Sequence, residues 1–144
     1  MNTISDSFLF QVMRIRKAIV RKTTLLLTEA NIPMQMEQLP ILVILKNLGT
    51  LSQRELSDIT LRDKSSILRS ISSLQKKGLV VIKQDDADKR KNNIDLSPQG
   101  RDLAIQIEAL MHKAEDEALS IFPEAERVIA FQTVKGYADQ LEDI

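Results

Sequence analysis

Apolar residues recur at helical spacing over most of the chain. In "FLFQVMRIRKAIVRKTTLLLTEA" (8–30), Leu9, Val12, Ile15, Ile19 and Leu26 keep helical register, flanked by Arg14, Arg16, Lys17, Arg21 and Lys22. No Gly or Pro interrupts the stretch, which predicts one helix of roughly six turns, ended by "NIP" at 31–33. A second apolar helix is expected from Leu39 to Leu48. Pro40 lies near its start, where a missing N–H costs least, and Gly49 closes it. "LSQRELSDIT" opens on a capping-box pattern, Ser52 with Glu55, and predicts a short helix with Leu56 and Ile59 inward. After a turn, "RDKSSILRSISSLQKKG" predicts a helix capped by Asp63 and ended by Lys76, Lys77 and Gly78. The period then changes, and "LVVIKQ" and "NNIDLS" read as two short strands. Ser97 and Pro98 are the N-cap and first residue of a helix reaching Ser120 or Ile121, and Pro123 begins a last helix over 124–142.

Two short helices joined by a tight turn and followed by a two-stranded ribbon form a winged helix-turn-helix. The expected fold is therefore mainly α with a small β-hairpin: a single domain, 1–144, whose residues 31–97 make the winged helix. Long helices in 1–30 and 98–144 are extra to that unit. Leu103, Ile107, Leu110, Met111 and Leu119, then Val128, Ile129, Phe131, Val134 and Leu141, exceed what a small winged helix can cover. Together with Leu9, Val12, Ile15 and Ile19 they are expected to pack across a two-fold axis in a homodimer.

Composition narrows the function. Aromatics make up only 3% of 144 residues, so Leu, Ile, Val and Met must fill the core; Met13, Met34, Met36 and Met111 are expected there, and His112 as a surface or packing residue. The absence of cysteine excludes disulfides, thiolate metal sites and thiol sensing, and suits a reducing cytosol. No stretch reads as a signal peptide or a membrane span. With one His, four Gly and no phosphate loop, no catalytic or metal constellation can be assembled, so neither an enzyme nor a cofactor is expected. The zero net charge hides an asymmetry. Residues 51–97 carry ten basic and seven acidic side chains, residues 98–144 four and ten. The last third repels polyanions.

On a wheel, the 64–77 helix places Ile67, Ile71 and Leu74 together. Ser65, Arg69, Ser72, Ser73 and Lys76, with Arg62 if it is helical, fall on the opposite side in an arc of roughly 100°. That face has no acid, whereas a solvated helix face mixes Glu with Lys. Small serines let a helix sink into the major groove while cations reach phosphates and guanine edges. Arg69 is the best candidate for base reading. Lys64, Ser65 and Ser66 stand at the helix start, where N–H groups favour a phosphate.

The hairpin tip, "DDADKRKNN" (85–93), crowds three aspartates against three consecutive cations. A calcium loop beginning at Asp86 fails, because Lys91 and Ser97 stand where Gly and Glu are needed. A solvated turn and a DNA wing remain. In a wing, an arginine is drawn into a narrow minor groove. The aspartates then serve as scaffolding: Asp side chains bond nearby backbone N–H groups, and Asp88 stands two residues from Arg90. Lys89 and Lys91 are expected to act as phosphate-range charge.

"LSQREL", "DKSSILRSISSLQKKGLV", the wing D85-D-A-D88-K-R90 and "DLSPQG" resemble the MarR family of bacterial transcription regulators over roughly residues 36–100. The resemblance implies a dimer with a winged helix in each protomer. Arg90 takes the position of the family's minor-groove arginine, Asp85 and Asp88 match its wing aspartates, and Ser65, Ser66 and Arg69 fall on its DNA-facing stretch. It also implies a cytoplasmic, nucleoid-associated repressor of a pseudo-palindromic operator, tuned by a small amphipathic or phenolic effector. Two departures stand out. Many members carry arginines or a glutamate where this chain has Val81, Ile82 and Lys83, and Ser70 occupies a usually aliphatic position. A winged helix can also serve as a protein-interaction adaptor without DNA. Such an adaptor has no need to combine a basic wing tip with an acid-free helix face.

Overall fold

A computed structural model describes residues 3–142. After a short 3-10 turn (Ile4–Asp6) the order is α1 (Phe8–Glu29), α2 (Leu39–Leu48), β1 (Leu51–Ser52), α3 (Gln53–Thr60), α4 (Lys64–Lys76), β2 (Val80–Gln84), β3 (Asn92–Leu96), α5 (Pro98–Leu119) and α6 (Glu124–Glu142). The chain divides into two compact units. One is Thr23–Met111; the other joins the residues up to Lys22 with those from His112 onward. The boundaries fall inside α1 and α5, not at their ends.

The Thr23–Met111 unit is a winged helix-turn-helix around one aliphatic cluster. Leu39, Ile41, Leu42 and Leu45 of α2 meet Leu56 of α3, Ile67, Ile71 and Leu74 of α4, and Ile94 and Leu96 of β3. The helix ends follow their capping residues. Ser52 Oγ accepts from the Glu55 N–H at 3.1 Å while the Glu55 carboxylate accepts from the Ser52 N–H at 2.7 Å. Asp63 accepts from the Ser66 N–H at 3.3 Å, and Gly78 follows α4 at φ +73°. Leu61, not a glycine, takes the left-handed position between α3 and α4 (φ +54°), its N–H bonded to the Ser57 carbonyl.

The sheet has three antiparallel strands in the order β1-β3-β2. The wing strands pair from Val80↔Leu96 to Gln84↔Asn92, close to the two strands expected. β1 was not expected; Leu51 pairs with Ile94 and Ser52 with Asn93. Two residues cannot display an alternating pattern.

Helix α5 starts against the end of α4. The Ser97 N–H donates to the Leu79 carbonyl at 3.0 Å, and Ser97 Oγ donates to the Gly78 carbonyl at 2.6 Å while accepting from the Gly100 N–H at 2.9 Å. Gly100 is buried there with no room for a side chain.

Several packing expectations are corrected. Ile107 is fully buried within the Thr23–Met111 unit, and Leu103, Leu110 and Met111 pack on the same cluster, so they do not await a second chain. Ile59 is 46% exposed: it lies in the last turn of α3, next to the left-handed Leu61, where the chain leaves the core. Met13 is exposed, while Met34 and Met36 pack on the cluster.

In the other unit, Phe8 and Tyr137 meet edge to face with centroids 5.8 Å apart. Lys22 and Glu117 pair at 2.8 Å. Ile15 and Ile19 line a shallow groove with Leu119 and Phe122. Helix α6 has no buried residue among those described. Its Val128, Phe131, Val134 and Leu141, like Leu9, Val12 and Ile15 of α1, are exposed apolar side chains.

Candidate nucleic-acid interface

Helix α4 separates its faces as its sequence demands. Ile67, Ile71 and Leu74 are buried; Lys64, Ser65, Arg69, Ser72 and Lys76 are exposed, and Ser73 is half-buried. The side chains of Lys64, Arg69 and Lys76 make no hydrogen bond or ion pair to the described residues. An exposed face with free cations and no acid is open to a polyanion.

Two residues expected to face DNA, Arg62 on that face and Ser66 at the helix start, are turned elsewhere. Arg62 precedes the Asp63 cap and is not helical. Its guanidinium donates to the Glu37 carbonyl, to Ser66 Oγ and carbonyl, and to Ser70 Oγ. Ser66 is half-buried, its hydroxyl oxygen receiving Arg62. A wheel places Arg62 on the exposed side only if the helix extends back that far; it begins two residues later.

The wing tip is organised by its aspartates. Asp85 Oδ1 accepts from the N–H groups of Ala87 (2.9 Å) and Asp88 (3.0 Å), and Oδ2 from the Asn93 side-chain amide (2.9 Å). The Asp85 and Lys91 N–H groups close the turn on the carbonyls of Lys91 and Asp88. Asp88 Oδ1 accepts from the Arg90 N–H at 3.0 Å and from its Nε at 3.3 Å. The Arg90 side chain is 92% exposed, so the guanidinium is held at its base and free at its tip. Lys89 and Lys91 are exposed beside it.

Lys64, Arg90 and Lys91 line one open cleft of about 690 Å³ with Ser52, Arg54 and Asn92, bringing the starts of α3 and α4 and the wing together. Of the acids that line it, Glu55 and Asp85 are engaged locally, while Asp58 is exposed. The Ser52 N–H holds the Glu55 carboxyl below the usual carboxylate range, and the Asn93 amide, then the backbone N–H groups of Asp88 and Ala87, do the same for Asp85. No cluster of three or more metal-ligating side chains occurs among the described residues.

Residues 32–91 match the MarR family, a span running from before α2 to the wing tip. Over that span the winged helix of this chain is similar to that of the MarR family. Solved MarR-family structures extend the likeness of fold along nearly the whole chain. BpsR of Bordetella bronchiseptica, whose DNA binding is regulated by 6-hydroxynicotinic acid, is 20% identical, with a TM-score of 0.81 over 96% of this chain and 98% of its own. Wild-type MarR from E. coli is 18% identical, with a TM-score of 0.81 over 94% and 98%. PcaV of Streptomyces coelicolor, solved with its natural ligand, is 18% identical, with a TM-score of 0.74 over 96% of each chain. No curated protein matches the chain in sequence. No described helix is long and apolar enough to cross a membrane.

The departures from the MarR pattern have structural counterparts. Ser70 is 7% exposed, and its hydroxyl receives Arg62 at 2.7 Å, so a polar side chain at a core position is satisfied from within. On β2, Val81 and Lys83 point outward and Ile82 is half-buried, leaving Lys83 the one cation of that stretch.

Proposed function

We propose that the protein is a homodimeric, sequence-specific, double-stranded DNA-binding transcription regulator, acting as a ligand-responsive repressor. One observation carries the reading: the acid-free face of α4 and the exposed Arg90 lie on one unit, joined by a cleft that Lys64, Arg90 and Lys91 line. In this reading α4 enters the major groove, Arg69 forks onto a guanine, and Lys64, Ser65, Ser73 and Lys76 serve phosphates or the groove wall. Arg90 enters the minor groove and Lys89 and Lys91 supply charge. The two protomers address half-sites about one helical turn apart, ~34–36 Å. Response to a small anionic or amphipathic effector is proposed by analogy with BpsR and PcaV.

Selection from a random duplex library tests this directly. A two-fold symmetric motif is expected; retention without any preferred motif overturns sequence-specific binding, and no retention at all favours an adaptor. On the selected site, Arg69→Ala should cost roughly 1–3 kcal/mol and relax preference at one base pair, while Lys76→Ala weakens all duplexes alike. Equal losses on selected and random DNA from Arg69→Ala would exclude base reading.

The wing gives a test in which two effects oppose each other. Arg90→Ala should lose more affinity than Lys89→Ala or Lys91→Ala. Asp88→Ala removes a negative charge near phosphate, which favours binding, but also the carboxylate that holds Arg90. Fixing the arginine in advance spares side-chain entropy on the order of 1–2 kcal/mol, more than one exposed charge contributes in salt. Weaker binding is therefore expected from a titration at fixed salt. Tighter binding would remove the scaffolding role of Asp88.

A further inference from the structure

Arg62 precedes the recognition helix, where a cation would ordinarily be offered to DNA, yet its donors are directed inward. Nε donates to Ser66 Oγ at 3.0 Å and one terminal nitrogen to the Glu37 carbonyl at 2.8 Å. The other terminal nitrogen donates to Ser66 Oγ at 2.8 Å, the Ser66 carbonyl at 3.2 Å and Ser70 Oγ at 2.7 Å. All the acceptors are neutral. The planar fork thus joins the first two turns of α4 to the turn that leads into α2. A second contact is made at the far end of the same helix. Lys77 Nζ donates to Gln38 Oε1 at 3.0 Å, and Gln38 is buried. The adjacent residues Glu37 and Gln38 therefore receive one cation from each end of α4.

We propose that Arg62 and Ser70 form a clamp that sets the seating of α4, and that Arg62 is a positioning residue for base reading, not a DNA contact. The proposal rests on the regulator reading above. Base contacts need a side chain within hydrogen-bond reach of one edge, whereas phosphate contacts tolerate a displaced helix because charge acts at range. Loosening the clamp should therefore damage recognition of the selected operator more than binding to random duplex. A lysine keeps the charge, but a single ammonium cannot reach Glu37, Ser66 and Ser70 together.

The test titrates the full-length parent, Arg62→Lys, Arg62→Ala, Ser70→Ala and the Arg62→Lys/Ser70→Ala double variant against the selected operator and a random duplex at several salt concentrations, after thermal melts. Arg62→Lys is expected to bind the operator about tenfold more weakly and random duplex less than about twofold more weakly. Its slope of log affinity against log salt should equal the parent's. Ser70→Ala should lose about threefold on the operator, and adding it to Arg62→Lys should cost nothing further. Parent-like operator binding by Arg62→Lys, with Arg62→Ala losing equally on both duplexes and its slope falling by about 0.9, makes Arg62 a phosphate contact and overturns the clamp. Additive losses in the double variant overturn it too. Should Arg62→Lys fail to fold, Ser70→Ala decides alone, and parent-like operator reading by that variant overturns the proposal. Failure of the parent to select any operator overturns the regulator reading itself, and the positioning role with it.

Discussion

Gly100→Ala is expected to lower the stability of the protein by about 3 kcal/mol, the upper end of the usual cost of over-packing. A Cβ at this position would lie 1.9 Å from the Leu79 carbonyl oxygen and 2.8 Å from its carbon. Both are backbone atoms, and neither can turn aside as a side chain would. The Leu79 carbonyl also accepts from the Ser97 N–H, so moving it strains the cap of α5 as well. The melting temperature should fall by roughly 10 °C, measured by circular dichroism on the purified protein. A melt within about 2 °C of the parent would show that the close approach of α5 to the end of α4 is absent in solution. The "SPQG" stretch thus has a steric meaning: serine caps the helix, proline starts it, and glycine lets it sit against the Leu79 backbone in the turn that follows α4.

The second large effect concerns the exposed apolar residues of α1 and α6. Phe131 is 67% exposed and Val134 53%, on a helix with no buried residue among those described. Their cover is the other protomer in the proposed dimer. Phe131→Asp with Val134→Asp places two carboxylates where that interface closes, and burying an unpaired charge costs far more than a two-residue change can recover. Sedimentation should then report a monomer at micromolar concentration, while the parent is a dimer. Binding to the two-fold operator should fall roughly 10²–10³-fold, since one half-site is lost, with random duplex much less affected. A parent that sediments as a monomer, or a double variant that stays dimeric, would remove the proposed architecture.

Most element ends were legible because capping chemistry is local. Ser52 with Glu55, Asp63, Gly78 and Ser97–Pro98 stand at the ends they were expected to mark. The buried face of α4 was legible for a similar reason: thirteen residues are enough for a 3.6-residue period to show. What escaped had no period to show or depended on distant partners. β1 is too short to alternate. Ile59 obeys the helical wheel but lies in the final turn before a left-handed residue. Arg62 reads as a groove cation because a wheel assigns a direction only to residues inside the helix, and the acceptor that turns it inward, the Glu37 carbonyl, lies twenty-five residues away. Ser70 stood out as a polar residue on a core face, and that was the available signal that some donor must be aimed at it. The wing was read more fully, since Asp85, Asp88 and Arg90 act on neighbours within a few residues.

The two-residue strand β1 has a consequence for the order of assembly. Its partner, Ile94 on β3, is roughly forty residues away, and closing a loop of that length costs on the order of 3 kcal/mol of chain entropy. Two ladder pairs cannot offset that alone. The wing hairpin, by contrast, closes over a handful of residues, and local contacts form first. β1 should therefore zip onto β3 only after α3 and α4 have docked on α2 and the long loop is already closed by packing. The whole helix-turn-helix hangs between Leu51 and Ile94 as a latched segment. Because Leu56, Ile67, Ile71 and Leu74 belong to the aliphatic cluster, parting β1 from β3 frees only the Leu51–Ser52 end of that segment, and α3 and α4 stay seated until the cluster itself opens.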